Sequence, residues 1–272
     1  MIMYTALRIL SIGFLLPFRF LVIAQTYNQT AELMQNLFNR YNKNIRPVLN
    51  QSNAIDVITT IRLRNIEHMS EKDQTITLST VIVMEWADDL LTWNPSEYGN
   101  ITLINPGADM TWLPPLNLDG MMSDKQLLVD TSLVTPLTVR YNGSVLWFTN
   151  VRLIKACMMD MTYFPNDEHS CQWPIHFHTY AAHQVKIILR SLSVNEGKFI
   201  QNVEYELFPE PLTLLRYRDG LQDYEVILLS FKIRRHPQMF VINLMFPTVA
   251  LSFLNILVFV LPADSGEKGG PR

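Results

Sequence analysis

The chain has 272 residues, of which 48% are hydrophobic and only 17% are charged. Soluble proteins average about 25% charged residues, so part of this chain is expected to avoid water. The formal net charge of −3 argues against a nucleic-acid partner, because domains that bind nucleic acid carry an excess of Lys and Arg. The 10 glycines and 15 prolines follow no repeat, which excludes collagen and low-complexity classes.

Residues 1–24 are predicted to be a cleaved signal peptide. Arg8 supplies positive charge, residues 9–16 form a short apolar run, and Ala24 is a small residue suited to the cleavage site. Pro17 and Arg19 interrupt the apolar run, which disfavours a membrane-spanning helix. The alternative is a buried N-terminal helix, although no polar pattern marks the other face that such a helix would need.

The interior of the chain, residues 25–236, is predicted to be one extracellular domain. Apolar side chains at helical spacing predict a helix over 31–44, closed by Pro47: Leu33, Met34, Leu37, Phe38 and Tyr41. From residue 55 the apolar period changes to two, which predicts half-buried strands over 55–64, 75–84 and 224–233. The fold class is therefore mainly β, a β-sandwich with one leading helix.

The C-terminal region is predicted to cross a membrane once. Residues 239–261 form a run of 23 residues without a charged side chain, and about 20 suffice to cross the hydrocarbon core. We predict a transmembrane helix over 237–261 and a short cytoplasmic tail over 262–272. The orientation rests on the signal peptide, because basic residues flank the run on both sides and the positive-inside rule discriminates little.

The two cysteines, Cys157 and Cys171, bracket 13 residues. In a secreted chain this pair is predicted to form one disulfide. The enclosed segment contains F-P-x-D at 164–167, and further motifs follow the same order along the chain. They are W-x-D-x-x-L-x-W-N-P within 85–98, W-x-P at 112–114, a basic residue at Arg235, and LVFVLPADSGEK at 257–268.

With these motifs the chain resembles the Cys-loop pentameric ligand-gated ion channels, and within them the nicotinic and serotonin-type cationic branch. The resemblance implies a ten-stranded sandwich led by one helix, a small-molecule neurotransmitter as ligand, and assembly into a homo- or heteropentamer in the plasma membrane of a postsynaptic cell. It also implies that Phe164, Pro165, Asp167 and Arg235 couple ligand binding to gating.

The residues at the family's ligand-site positions depart from its usual aromatic box. The positions fall on Asp119, His178, Tyr217, Tyr224 and, on the complementary side, Val81, so two of five aromatic residues survive. Asp219-Gly220 replaces the adjacent cysteine pair that marks acetylcholine-binding subunits. Two interpretations stay open: a ligand other than acetylcholine, with Asp119 pairing an amine, or a subunit that has lost its site.

Several other residues are further site candidates. Four asparagines head N-x-S/T sequons and are predicted glycosylation sites: Asn28, Asn50, Asn100 and Asn142. Asn142-Gly143 also predicts a hairpin turn. Trp147, Tyr163 and Trp173 are interpreted as sandwich residues rather than box residues. His176 and His178 share one strand face but lack a third ligand, so no metal and no cofactor are predicted.

The chain is not expected to be an enzyme, because it lacks G-x-S-x-G, a phosphate-binding glycine loop and H-E-x-x-H. We expect the extracellular ligand-binding part of a cation-selective channel subunit, without the pore-lining helix in this sequence. The alternative is a membrane-tethered ligand-binding or assembly subunit with no channel activity of its own.

Overall fold

A computed structural model describes residues 26–118, 135–177, 179–194 and 199–260. The predicted signal peptide, the predicted tail, Asp119 and His178 lie outside the described residues. Within them, a leading helix, α1 (Tyr27–Phe38), is followed by eleven strands in two sheets and by a C-terminal helix. The predicted mainly-β sandwich with one leading helix is confirmed. The resemblance implied ten strands; the described residues form eleven, two of which are only two residues long.

The first sheet has six strands. In spatial order they are β3 (Leu103–Ile104), β5 (Thr138–Arg140), β6 (Asn142–Ala156), β2 (Thr75–Thr92), β1 (Ile55–Ser70) and β8 (Val185–Val194). All neighbours are antiparallel except β1 and β8, which run parallel. The strands predicted at 55–64 and 75–84 are confirmed as parts of β1 and β2, which extend further.

The second sheet has five strands. In spatial order they are β10 (Thr213–Asp219), β11 (Gln222–Arg235), β7 (Glu168–His176) and β4 (Asn117–Leu118), and β9 (Tyr205–Pro209) also pairs with β11. The strand predicted at 224–233 is confirmed within β11. The core lies between the two sheets, where Trp147 and Trp173 are fully buried. These two tryptophans therefore belong to the sandwich interior, whereas Tyr163 is exposed on the loop before β7.

The leading helix begins and ends earlier than the predicted 31–44. It starts at Tyr27 because Thr26 and Gln29 form a capping box, in which each side chain accepts a hydrogen bond from the other residue's backbone N–H. It ends at Phe38, and Tyr41 continues the apolar pattern for another reason. The Tyr41 hydroxyl donates to Asp88 Oδ2 at 2.7 Å and accepts from the Trp112 backbone N–H, which fixes the chain after the helix to the sandwich.

The hairpin turn predicted at Asn142-Gly143 is confirmed between β5 and β6. Gly143 has φ +80°, a conformation that favours glycine. A Cβ atom at this position would lie 2.4 Å from the Asp88 carbonyl oxygen. The turn therefore needs glycine both for its backbone angle and for its close approach to β2.

The C-terminal segment forms one continuous helical rod, called the terminal helix below. It consists of an α-helical turn (Pro237–Phe240), a π-helical turn (Val241–Met245) and an α-helix (Phe246–Val260). Pro247 has no N–H for the i−4 carbonyl, which explains the π-helical turn before it. The Thr248 hydroxyl donates to the carbonyls of Leu244 and Met245. Residues Pro237–Leu257 have a mean hydropathy of 1.9 and enough length to span a membrane.

Candidate functional site

Tyr217 and Tyr224 lie opposite each other in the hairpin formed by β10 and β11. Their rings stack with centroids 5.5 Å apart and an interplanar angle of 23°. Tyr217 is 41% exposed and Tyr224 is half-buried, so the pair presents aromatic surface to solvent. A cation can be held against such ring faces with about 0.5–2 kcal/mol per contact.

The turn of this hairpin is built by Gly220 and Leu221, between the paired residues Asp219 and Gln222. Gly220 has φ +60°, as two-residue hairpin turns require. The segment that replaces the family's adjacent cysteines is therefore a tight turn. An ion pair between Arg218 and Asp223 at 2.7 Å lies just below it and braces the two strands.

Val81 lies on the other sheet, in the middle of β2. On the same strand, the next residue, Ile82, and Trp86 further along belong to the sandwich core. Val81 is 5% exposed but stands outside that core, on the opposite side of the sheet, because side chains alternate along a strand. Across the ladder it pairs with Arg62 of β1 and Asn150 of β6. We call this side the outer face, meaning the side of the six-stranded sheet that bears Val81.

Of the sequence-predicted ligand residues, the described part of the chain contains Val81, Tyr217 and Tyr224, and it does not bring Val81 together with the tyrosine pair. Val81 is on the outer face of one sheet, and the tyrosine pair is on a hairpin of the other. Asp119 and His178 lie outside the described residues, and the strand residues nearest to them in the sequence, Leu118 and His176, belong to the second sheet. Leu118 of β4 pairs with Ile175 of β7, and His176 pairs with Val226 of β11.

By contrast, the four residues expected to couple binding to gating include two that form the centre of a dense cluster. Arg235, at the end of β11, has a side chain that is only 4% exposed. Its guanidinium donates to Asp167 Oδ1 at 2.9 Å, Glu204 Oε1 at 2.6 Å and Glu71 Oε1 at 2.5 Å. One buried cation thus joins the loop closed by the cysteines, the β1–β2 turn and the segment before β9.

Aromatic rings extend this cluster to the terminal helix. The Arg235 guanidinium carbon lies 5.1 Å from the Phe164 ring centroid and 4.7 Å from that of Tyr205. Phe164 in turn makes an edge-to-face contact with Phe240, with ring centroids 4.5 Å apart. We call these residues the membrane-proximal cluster: Glu71, Phe164, Asp167, Glu204, Tyr205, Arg235 and Phe240. Pro165 follows Phe164 in the same loop.

Burial and hydrogen bonds within the cluster shift the pKa values of its carboxylates. Burial opposes the ionisation of Glu71, but hydrogen bonds from Arg235 and Tyr205 outweigh it and lower the pKa of Glu71 to about 2. The pKa of Asp167 is also lowered: burial raises it, and hydrogen bonds from Arg235 and His169 override that effect. The second oxygen of this buried carboxylate, Asp167 Oδ2, lies 2.6 Å from His169 Nε2.

The predicted disulfide between Cys157 and Cys171 is confirmed, with their Cα atoms 5.7 Å apart. Cys157 follows β6 and Cys171 lies in β7, so the bond connects a strand end of the first sheet to the second sheet. The loop that it closes carries Phe164, Pro165 and Asp167. This covalent link therefore holds part of the membrane-proximal cluster in place.

The remaining candidates are distributed over the surface. The four sequon asparagines are all exposed, as glycosylation requires, but this exposure does not test the prediction. His176 is buried in the second sheet. In the described ranges, no group of three or more His, Cys, Asp or Glu side chains could hold a metal ion. Sequence reasoning missed Glu71, Glu204, Tyr205 and Phe240, which no local motif marks.

Comparison with known proteins shows which family and which proteins this chain is similar to. A family described as the neurotransmitter-gated ion-channel ligand binding domain matches residues 30–237. Neuronal acetylcholine receptor subunit beta-3 from Gallus gallus is 35% identical over 240 residues, covering 87% of this chain and 51% of the relative. The Homo sapiens beta-3 subunit is 34% identical and the Rattus norvegicus alpha-5 subunit is 32% identical, with 89% and 87% of this chain covered and 53% and 51% of the relatives. The chain spans about half the length of these relatives, which are receptor subunits and not enzymes.

Proposed function

We propose that this chain, which belongs to the neurotransmitter-gated ion-channel family, binds a small-molecule neurotransmitter between neighbouring subunits of a plasma-membrane pentamer. The observation that carries the proposal is the family match over 30–237, which covers the whole sandwich from the leading helix to the start of the terminal helix. The exposed tyrosine pair is the proposed contact for an amine. Asp119 and His178 are proposed to complete this side.

The separation of the candidate residues supports a site between subunits. A ring closes when one face of each subunit contacts a different face of the next subunit. The β10–β11 hairpin of one copy would then meet the outer face of its neighbour, which bears Val81. The two parts of the site, apart in a single chain, would meet across that contact.

The membrane-proximal cluster is the proposed route from ligand to membrane. Strand β11 carries Tyr224 near its start and Arg235 at its end, so a movement of the hairpin acts along one continuous strand. The Arg235 guanidinium lies over the Phe164 ring, and Phe164 contacts Phe240 in the first turn of the terminal helix. Phe164, Pro165, Asp167 and Arg235 are accordingly proposed to couple binding to gating of a cation-selective, postsynaptic channel.

A second function is favoured by one observation. Val81 presents a small aliphatic side chain, nearly buried, where the family usually presents an aromatic ring. A subunit of this kind could contribute to assembly or tether a ligand-binding domain to the membrane without channel activity of its own.

Binding by the assembled protein distinguishes the proposed ligand site from a role in assembly alone. The full chain, co-expressed with a nicotinic-type subunit and purified in lipid nanodiscs, would be tested against acetylcholine, serotonin and other amine transmitters by calorimetry. Tyr217→Ala is expected to weaken binding about tenfold through the loss of one cation–π contact. Tyr163→Ala, at an exposed tyrosine outside the hairpin, is the matched control. Assembly without any binding would support the assembly role.

A further inference from the structure

The side chain of Glu225 is a buried carboxylate at the base of the β10–β11 hairpin. It is only 2% exposed and lies on the side of β11 that faces the other sheet, because Ile227 and Leu229, two and four residues further along, belong to the core. One carboxylate oxygen accepts a hydrogen bond from the backbone N–H of Ile187 in β8 at 2.8 Å, and the other pairs with Arg216 of β10 at 2.5 Å. A single side chain therefore joins the six-stranded sheet to both strands of the hairpin.

The backbone N–H of Ile187 depends on this carboxylate. Within the described residues, β8 pairs only with β1, so its other edge has no neighbouring strand. Ile187 is 2% exposed, and a buried N–H group without an acceptor costs free energy comparable to a lost hydrogen bond. A buried carboxylate has the same requirement, since its charge must be paired and hydrogen-bonded. The two groups therefore satisfy each other across the gap between the sheets.

Two bonds at the start of β11 attach the hairpin to the rest of the domain. All seven residues of β10 are exposed, and in the part of the chain that the structure describes this strand pairs only with β11. Besides the Glu225 bond, the Asp223 carbonyl accepts a hydrogen bond from the backbone N–H of Ala182 at 2.7 Å. The two anchored residues flank Tyr224, whose ring lies on the opposite side of the strand from Glu225 and stacks on Tyr217. Both bonds therefore hold the tyrosine pair in position.

We propose that Glu225 is a positioning residue for the tyrosine pair: it fastens the hairpin to β8 and thereby slows the dissociation of a ligand bound at the rings. The inference rests on the proposed function, because it takes Tyr217 and Tyr224 as the contact for an amine. A hairpin that is already held in place loses less conformational freedom when the ligand binds. Among variants of one site, such differences in affinity are expressed mainly in the dissociation rate.

The two bonds of Glu225 are unequal. Arg216 is 62% exposed, and ion pairs of exposed side chains contribute little. The Ile187 N–H is buried, and hydrogen bonds to charged groups are among the stronger ones. We therefore expect the bond to β8 to matter more than the pair with Arg216. Glu225→Leu removes both bonds, whereas Glu225→Gln keeps a carbonyl oxygen that can accept from Ile187.

Hydrogen exchange and ligand dissociation, both measured on the assembled full chain in nanodiscs, test the proposal. Exchange is read at single amides by fragmentation mass spectrometry without ligand, and dissociation is followed after dilution with labelled acetylcholine and labelled serotonin. Glu225→Leu should accelerate exchange at Ile187 and across the β10–β11 ladder about tenfold and leave exchange in the β2–β6 ladder unchanged. It should also accelerate dissociation about tenfold, whereas Glu225→Gln should change both rates less than about threefold.

Arg234→Gln is the control, because it removes an ion pair with Glu168 from the same strand at the end away from the hairpin, and it should change neither rate. Glu225→Asp keeps the charge on a shorter side chain and should give intermediate rates, so it carries the test if the leucine variant does not fold. Unchanged exchange at the hairpin, or faster exchange with unchanged dissociation, would overturn the inference and leave the proposed function intact. An assembled protein that binds neither transmitter would overturn the proposed amine contact at the tyrosine pair together with the inference.

Discussion

Replacing Arg235 by glutamine should destabilise the extracellular domain far more than the same change at its neighbour Arg234. Arg235 is 4% exposed and its partner Asp167 is fully buried. Removing one member of a buried pair leaves an uncompensated charge, at a cost of about 3–5 kcal/mol. Arg234 is 55% exposed and its partner Glu168 is 44% exposed, and such surface pairs contribute about 0–1 kcal/mol.

The assay is thermal unfolding of the full chain in detergent, followed by circular dichroism. In a domain of this size 1 kcal/mol shifts the melting temperature by about 2–4 °C. The expected decrease is therefore roughly 6–20 °C for Arg235→Gln and at most about 4 °C for Arg234→Gln. Arg235→Lys keeps the charge with fewer hydrogen bonds and should fall between. Equal shifts for the two glutamine variants would refute the view that the cluster is an energetic centre.

The same cluster predicts acid sensitivity. The pKa of Glu71 is about 2 in the folded chain against an ordinary 4.5, so the stability contributed by ionised Glu71 is present above about pH 4.5 and is lost as the pH falls toward 2. Glu71→Gln should lose this part of the acid dependence. An unchanged pH profile in that variant would contradict the assigned role of Glu71.

Three further predictions follow from other residues. Burial raises the pKa of Asp88 to about 6, against hydrogen bonds that lower it, so native stability should increase as the pH falls from 7 through 6 toward 4, and Asp88→Asn should abolish that increase in a urea titration. Cys157→Ser opens the 13-residue loop and should cost about 3 kcal/mol of unfolding free energy; a loss well under 1 kcal/mol would contradict it. Val81→Trp restores an aromatic ring to the outer face and should improve acetylcholine binding about tenfold, whereas unchanged binding would place Val81 outside the site.

Much of the sandwich could be predicted from the sequence, because period-two alternation is a local signal. Strands containing residues 55–64 and 224–233 were visible in this way. The ends of the leading helix were missed although one local signal existed, the capping residues Thr26 and Gln29 in T-x-x-Q spacing. The predicted end of the helix was too late because Tyr41 continues the apolar spacing. Its hydroxyl is held by a hydrogen bond to Asp88, a tertiary contact that periodicity does not reveal.

The candidate sites also contain some residues that the sequence identifies and others that it does not. Phe164, Asp167 and Arg235 were named through motif resemblance, and the structure shows that Arg235, distant in the sequence, lies against both Phe164 and Asp167. Glu71 and Glu204, which complete the cluster, are far from Arg235 in the sequence and sit in turns without a motif. Only the folded strands bring these carboxylates to the guanidinium.

The central claim is that the hairpin face of one subunit meets the outer face of the next. Phe148 of β6 is 41% exposed and pairs with Val83, which is on the same side of β2 as Val81. Both native cysteines are bonded to each other, so a cysteine introduced at Tyr217 or at Phe148 would supply the free thiol of its chain. Full-length Tyr217→Cys and Phe148→Cys chains, carrying different tags, would be co-expressed and oxidised mildly, and cross-linked dimers would be detected on non-reducing gels. We predict a mixed dimer only when both variants are present, reduced in amount by bound ligand. Its absence in protein that has assembled into rings would contradict the claim.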